Sequence, residues 1–451
     1  MSAQLLPCFK AYDIRGKVPS ELNPDLAYKI GLSMVEFLSA KKIVIGRDIR
    51  ATGPELRDAL IKGLTEAGAD VIDIGLCGTE MIYFATSHFK ADGGVMITAS
   101  HNPPEYNGMK FVREESKPIS ADTGLKDIEQ MCIKGEFKKG ASVGQVSEIN
   151  VDDEYIKHIL TYVDTAKLKP LKIVVNGGNG CAGPFLDMLE KHLPFKFIKV
   201  HHEPDETFPN GVPNPLLEEN RGSTADAVKK YNADAGIAWD GDFDRCFFFD
   251  ETGAFIEGYY IVGFLANALL ERNPGGKIVY DPRLIWNTIE MVEESGGEAV
   301  KSVSGHAFIK EKMRQVDAIY GGEMSAHHYF KDFFFCDSGM LPWLLVLEIM
   351  CQSGKSLSSL VYERIKKFPC SGEINRRVDD PDACIQKLRE YFTDQNPEID
   401  ETDGIGMNFD EWRFNLRKSN TEPVIRLNVE SRNNIKLMKE KTEEILKVLE
   451  Q

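Results

Sequence analysis

Three times along the chain a short apolar run closes on a polar turn: Lys42-Ile-Val-Ile-Gly-Arg-Asp48, Lys172-Ile-Val-Val-Asn-Gly-Gly178 and Lys277-Ile-Val-Tyr-Asp-Pro-Arg283. Such a run bounded by turn residues predicts a buried strand. Behind each comes an apolar stripe at helical spacing: Leu56, Leu60, Leu64 and Ala67, then Phe185, Met188 and Leu189, then Ile285, Ile289 and Val292. In the first repeat Thr52 and Glu55 have the spacing of a capping box, with Pro54 near the first turn. A second strand follows, clearest in Asp70-Val-Ile-Asp-Ile74. Strand, helix and strand at this spacing make a βαβ crossover, and its recurrence predicts three tandem, similar α/β domains with mixed sheets.

From Phe368 the pattern changes to a strand (372–378), a helix (382–392), strands around 406–416 and 424–429, and a last helix with Ile435, Met438, Ile445 and Leu449 on one face. This predicts a smaller C-terminal α+β domain. The expected divisions are 1–145, 146–253, 254–367 and 368–451, four domains for 451 residues where roughly 150 per domain is common.

A hydrophobic content of 42% and a charged content of 27% are those of a globular protein. Apolar runs such as 261–270 fall short of the roughly 20 residues that span a bilayer, and the first ten residues lack a basic segment followed by an apolar one, so the expected location is cytoplasmic. Nine dispersed cysteines with no CxxC pair point to packed, reduced thiols rather than disulfides or zinc. A net charge of −16 repels nucleic acid and acidic membranes, so an anionic ligand needs a local basic pocket.

Five turns carry candidate chemistry. Thr98-Ala-Ser-His-Asn-Pro-Pro-Glu-Tyr-Asn-Gly-Met-Lys110 follows an apolar strand and holds Ser100 and His101 in a polar loop; by itself it is equally a turn capped by Asn102. It is not a GxSxG elbow and has no assignable acid, which disfavours a serine hydrolase. Asp240-Gly-Asp-Phe-Asp-Arg245 places three carboxylates at alternate positions between two apolar strands, where they repel unless a cation joins them. Oxygen ligands of this kind suit Mg²⁺ or Ca²⁺, the other reading being a solvated acidic turn. Glu251 mimics the twelfth position of a calcium loop, but Arg245 stands where that loop needs glycine. Gly178-Asn-Gly-Cys-Ala-Gly183 fits a dinucleotide fingerprint, with Asp205 at about the right distance but in a proline-rich stretch, and reads better as a tight turn. Gly321-Gly-Glu-Met-Ser-Ala-His-His328 sets Glu323 and Ser325 two apart, as adjacent sugar hydroxyls would require, or forms a structural turn. Arg417-Lys-Ser-Asn-Thr-Glu-Pro-Val-Ile-Arg426 offers two guanidiniums with Ser419, Asn420 and Thr421, a donor set for a phosphate dianion, or a solvated basic turn.

Taken jointly and in this order, TASHNP, DGDFDR, GEMS and RxSNTEP, together with Phe9-Lys-Ala-Tyr-Asp-Ile-Arg-Gly16, resemble the α-D-phosphohexomutase family over essentially the whole chain. The stretches FPNGVPNPLLEENR (208–221), 281–288, 305–310 and 320–330 are most similar to its bacterial phosphomannomutase branch, which supplies GDP-mannose for surface polysaccharides. The resemblance implies four domains whose loops meet in a central cleft. It implies that Ser100 is a phosphoserine and that Asp240, Asp242 and Asp244 hold one Mg²⁺ together with an oxygen of that phosphate. Lys110 and His306 match proton-transfer positions, and Arg15 and Arg245, with His101 beside them, match the phosphoserine surroundings. Glu323 and Ser325 match the sugar 3- and 4-hydroxyl contacts, and Arg417, Ser419, Asn420, Thr421 and Arg426 the grip on the non-reacting phosphate. Arg283, a substrate-binding position, replaces the lysine of many relatives, and Ala326 replaces a glycine.

The implied reaction interconverts mannose 6-phosphate and mannose 1-phosphate through the phosphoserine and a hexose 1,6-bisphosphate, which also serves as activator. Contacts to the 3- and 4-hydroxyls do not separate mannose from glucose, so a dual-specificity phosphoglucomutase stays open. So do a Mg²⁺-dependent sugar phosphatase, which needs no second phosphate grip, and a silent sugar-phosphate-binding protein. The expected partner is a phosphosugar, not nucleic acid or membrane, and monomer and homodimer are both open.

Overall fold

The computed structural model describes residues 5–418 and 424–450. The chain divides into two compact units, one running to Phe255 and including His327–Gly354, the other made of Ile256–Ala326 and the chain from Lys355 onward. Among the described residues no single helix is long and apolar enough to cross a membrane.

In the first unit Lys42–Arg47 is the centre of a mixed sheet, parallel to Asp70–Leu76 on one side and to Gly93–Ile97 on the other. Gly93–Ile97 pairs antiparallel with Tyr106–Arg113, which pairs antiparallel with Ile14–Lys17. The predicted crossover helix is Gly53–Glu66. Its buried Leu56, Leu60 and Leu64 share a core with Ile30 and Met34 of helix Pro24–Leu38 and with Ile43, Ile45, Val95 and Ile97 of the sheet. Each such side chain contributes about 1.5–3 kcal/mol by leaving water. The capping box is not made: Thr52 has helical backbone angles and caps nothing, because its hydroxyl accepts from Asn107 Nδ2 at 2.9 Å.

The second sheet places Lys172–Asn176 parallel to both Lys196–Val200 and Ala235–Trp239. Cys246–Phe249 returns antiparallel, Trp239 opposite Cys246, so that Asp240–Arg245 is the connection of a fully buried hairpin. The glycine-rich turn at 178–183 packs against this connection. A Cβ on Gly180 would lie 2.7 Å from Gly241 O, and Cys181 N donates to that same carbonyl at 3.0 Å. Close backbone approach, not a dinucleotide, accounts for these glycines. Trp343 and Trp239 meet edge to face in the core below.

In the second unit Lys277–Tyr280 lies parallel to Glu298–Lys301 and to Tyr320–Gly322. A separate antiparallel sheet runs Ile374–Arg377, Val424–Ser431, Trp412–Lys418, Ile405–Asn408, Glu398–Asp400, with helices Pro381–Phe392 and Ile435–Glu450 packed on a core of Phe392, Met407, Phe414, Leu416, Leu427 and Ile445. The fold is α/β, three α/β domains followed by a smaller α+β domain.

Candidate functional site

Ser100 lies in the loop between Gly93–Ile97 and Tyr106–Arg113, with φ +49°, in the left-handed region where a non-glycine residue is held only by its surroundings. Its hydroxyl donates to Asp240 Oδ2 at 2.7 Å and lies 3.1 Å from His101 Nδ1. Arg245 closes the group, donating to Asp240 Oδ2 from Nη2 at 2.7 Å and from Nε at 3.0 Å, to Ser100 Oγ at 3.3 Å, and to His101 Nδ1. Arg15 belongs to the strand opposite Gly108 and donates to Asp13 at 2.7 Å and to Asn102 Oδ1 of the serine loop at 2.7 Å.

Asp242 and Asp244 are buried beside Asp240, and the ligand atoms of the three lie within 4.8 Å of one another. Lys110 Nζ donates to Asp242 Oδ2 at 2.7 Å and to Asp244 Oδ2 at 2.5 Å; Thr79 donates to Asp242 Oδ2 at 2.5 Å, and Thr98 Oγ1 lies 3.2 Å from it. Burial alone would lower the Lys110 pKa, but Asp242 and Asp244 hold it raised. Burial likewise opposes ionisation of Asp242, and Lys110 overcomes it, so this carboxyl titrates well below its usual range. Asp244 is raised, first by burial and then by Asp242. The Oδ1 atoms of Asp242 and Asp244 are buried without a hydrogen-bond partner. A buried carboxylate oxygen with no donor is costly unless a cation takes it, and an all-oxygen donor set suits a hard divalent ion. The residues therefore fit a Mg²⁺ site. His327, which the sequence pattern did not single out, lies 4.0 Å from Asp244 Oδ1 with its Nδ1 3.1 Å from Asp337 Oδ2.

The second unit carries its own constellation. Arg283 is 1% exposed and donates to Asp281 at 2.9 and 3.0 Å, to Glu323 Oε1 at 3.2 Å, to Ser325 Oγ at 3.1 Å and to Glu373 Oε2 at 3.2 Å. Glu323 also accepts from Gly305 N at 2.9 Å, which ties the sugar-type turn to the residue before His306. Ala326 has φ +69°, which explains in conformational terms why glycine suits that position. Arg417 and Arg426 face each other across paired strands, and both approach Glu373, at 3.9 and 3.3 Å. Burial opposes ionisation of Glu373, and Arg426, Arg283 and Arg417 together hold its pKa below the usual value. Arg417 is lowered by burial and by its proximity to Arg283. Ser419, Asn420 and Thr421 lie outside the described residues.

The structure thus brings Ser100, His101, Lys110, Arg15, Arg245 and the three aspartates together in the first unit, and Arg283, Glu323, Ser325, Arg417 and Arg426 together in the second. His306 belongs to the second unit, at the start of helix His306–Val316 with Lys310 Nζ 3.5 Å from its Nδ1. Asp281 and Glu373 escape a reading of the sequence because each is a lone acid in its own stretch; only the three-dimensional gathering of guanidiniums gives them a role.

Family models for the phosphoglucomutase/phosphomannomutase α/β/α domains I, II and III match residues 7–139, 153–253 and 257–368, and the model for the C-terminal domain of that family matches 373–448. The chain is 58% identical over 444 residues to phosphohexose mutases of Xanthomonas campestris pv. campestris, covering 98% of this chain and 99% of that one. It is also 58% identical over 452 residues to a phosphomannomutase of Escherichia coli, with the same coverage. A crystal structure of a phosphoglucomutase/phosphomannomutase family protein from Burkholderia thailandensis superposes with a TM-score of 0.89 at 32% identity, over 98% of this chain and 97% of that one. With all four domain models matched and full-length relatives above half identity, the chain belongs to the phosphoglucomutase/phosphomannomutase family, whose enzymes are isomerases that move a phosphoryl group within a sugar.

Proposed function

We propose that this enzyme is a phosphomannomutase, interconverting mannose 6-phosphate and mannose 1-phosphate through phosphorylated Ser100 and a hexose 1,6-bisphosphate. The observation that carries the reading is Ser100 Oγ at 2.7 Å from Asp240, beside two buried aspartate oxygens without donors, in a chain whose full-length relatives include phosphomannomutases. Asp240, Asp242 and Asp244, with an oxygen of the serine phosphate, would hold one Mg²⁺, which when bound would supply positive charge to offset that developing on the transferring phosphoryl group.

In the forward half-reaction the bond between the Ser100 oxygen and phosphorus breaks as the sugar hydroxyl oxygen bonds to phosphorus. The hydroxyl proton leaves to a base, and Ser100 Oγ takes one up. Lys110 and His306 are the proton-handling groups, Lys110 being held as an ammonium by Asp242 and Asp244. Arg245 and Arg15 steady the serine loop. Glu323 and Ser325 receive the sugar hydroxyls, Arg283 orients both, and Arg417 and Arg426 grip the non-reacting phosphate with Ser419, Asn420 and Thr421. Reuse of one donor set for both halves follows from turning the bisphosphate round. The bisphosphate also primes the serine as activator, and the domain boundaries are placed at 145, 253 and 367. The expected setting is cytoplasmic, feeding GDP-mannose and surface polysaccharide synthesis.

A dual-specificity reading stands beside it, since contacts from Glu323 and Ser325 to the sugar 3- and 4-hydroxyls would not separate mannose from glucose, which differ at C2. The test is ³¹P NMR of the enzyme with Mg²⁺, trace hexose 1,6-bisphosphate and equal mannose and glucose 1-phosphates. Faster conversion of the mannose ester supports the proposal and equal rates the dual enzyme. Free orthophosphate without 6-phosphate would replace mutase with phosphatase.

A further inference from the structure

The Arg50 side chain is 1% exposed and turns to the serine loop rather than to the carboxylates of the metal loop. Its guanidinium makes four hydrogen bonds to main-chain carbonyls there: Nη2 to Ser100 O at 2.9 Å and Asn102 O at 2.6 Å, Nη1 to Pro103 O and Tyr106 O at 2.8 Å each. Behind it, Asp48 fixes the fork from one side, 3.3 Å from Nε, and the Phe208 ring covers it at 5.6 Å. Asp48 also accepts from Thr98 Oγ1 at 2.7 Å, and Thr98 Oγ1 in turn accepts from Ser100 N at 2.8 Å. The backbone–backbone bonds within the loop itself are short turn bonds, Asn102 N to Ala99 O and Tyr106 N to Pro103 O.

We propose that Arg50 is the positioning residue of the serine loop, an internal clamp that holds Ser100 against the metal-loop aspartates through both chemical states of the serine. The inference rests on the reading of Ser100 as the phosphoryl carrier. A loop containing two consecutive prolines and a left-handed Ser100 has too few bonds of its own to keep one shape while its serine alternates between a neutral hydroxyl and a phosphate dianion. A planar guanidinium gathers four carbonyls from two sides of the loop, which the point charge of a lysine ammonium does not. With its four terminal N–H groups given to carbonyls, Arg50 has none for substrate and acts only through the loop. Phe208, from the FPNGVPNPLLEENR stretch, is then part of the clamp.

The test uses the full-length enzyme, labelled at Ser100 with ³²P from hexose 1,6-bisphosphate and mixed with excess sugar monophosphate, following loss of label in single turnover. For Arg50→Lys the expected result is transfer slowed by about 100-fold with KM changed less than about 3-fold, the mark of a misplaced nucleophile. Folded Arg50→Ala should regain at least about tenfold of its lost rate with added guanidinium ion and nothing with methylammonium, since only the planar cation refills the fork. If Arg50→Ala does not fold, Phe208→Leu serves in its place, with slower transfer at unchanged KM. Wild-type transfer in Arg50→Lys or in Phe208→Leu, a loss confined to KM, or no guanidinium rescue of a folded Arg50→Ala would overturn the clamp. Absence of label on the wild-type enzyme would instead overturn the phosphoserine reading itself.

Discussion

Arg50 and Arg283 are built by the same local device and do different things. Each stands two residues after an aspartate at the end of a repeat strand, and in each the arginine N–H donates to that aspartate Oδ1, at 3.0 Å in Asp48–Arg50 and 2.9 Å in Asp281–Arg283. The second repeat keeps the turn with Asn176, whose Oδ1 accepts from Gly178 N at 2.9 Å, but has no arginine. From there the two side chains diverge. Arg50 gives its terminal N–H groups to four neutral carbonyls, with a single carboxylate, Asp48, 3.3 Å from Nε, whereas Arg283 is caged by Asp281, Glu323 and Glu373 with Ser325 at its edge. A guanidinium bonded to carbonyls is scaffold. One caged by carboxylates is a charge-balanced cluster, and on the proposed function its partners are those that a sugar's hydroxyls and phosphate would replace; burial does not separate the two, since both side chains are equally buried.

The largest expected effect divides the two units by chemistry. Ser100→Ala should lose at least ~1,000-fold in turnover, while sugar-phosphate affinity measured by calorimetry stays within a few-fold, because the recognition groups are untouched. Full mutase activity in this variant would remove the phosphoserine from the mechanism. Next, Asp242→Asn should weaken Mg²⁺ by about 100-fold in a metal titration of activity, whereas Asp281→Asn should leave the Mg²⁺ dependence alone and raise the sugar-phosphate KM. A shift of Mg²⁺ dependence by Asp281→Asn would deny the separation of roles.

The hydrophobic pattern exposed the three repeats, the C-terminal change of architecture and the polar turns at strand ends, because those depend on local periodicity. It did not expose strand Ile14–Lys17, whose four residues are too few to carry a period by themselves and which pairs with Tyr106–Arg113. The metal triad was legible since three acids crowded into one turn between apolar strands repel one another unless a cation joins them. Arg50, Glu373 and Glu430 were not, because each takes its meaning from partners 15 or more residues away, as in Arg413–Glu430, Arg283–Glu373 and Arg50–Asn102. Thr52 failed in the opposite sense: the capping spacing was right, and a long-range donor, Asn107, took the hydroxyl.

Beneath Arg283 lies a buried guanidinium that combines the two kinds of partner, one carboxylate and two carbonyls. Arg413 donates to Glu430 Oε1 at 3.0 Å, to Arg283 O at 2.8 Å and to Pro282 O at 3.0 Å, and Glu430 accepts from Ile285 N at 2.8 Å. Arg413→Met leaves the buried Glu430 carboxylate without its counter-ion, with only Ile285 N and the Tyr259 hydroxyl still donating to it at close range, and takes the guanidinium from two carbonyls. The expected loss is about 3–5 kcal/mol in urea unfolding, and a loss under about 1 kcal/mol would show that the turn holds itself. Arg283→Lys should be milder. A lysine cannot span Asp281, Glu323, Ser325 and Glu373 at once, so KM should rise about tenfold with kcat changed less, and the opposite split would place Arg283 with the chemistry rather than with recognition.

The smallest effect tests the charge balance of the recognition cluster. Glu373 is held below the ordinary carboxylate value of 4.5: burial opposes its charge, and Arg426, Arg283 and Arg417 overcome it. A carboxyl whose folded pKa is depressed adds stability above its unfolded pKa and loses it as pH falls toward the folded one. Wild type should therefore melt above Glu373→Gln at pH 7, and the gap should hold down to about pH 5 and then close as the pH falls further through the unfolded carboxylate range. Mutating an acid in the cluster around Ser100 would mix this signal with metal binding, whereas among the described residues the ion-pair partners of Glu373 are three arginines. A melting gap independent of pH between about 3.5 and 7 would mean that the three guanidiniums do not share Glu373 as their counter-ion, and the distinction between a carbonyl-bound and a carboxylate-bound arginine would lose its electrostatic basis.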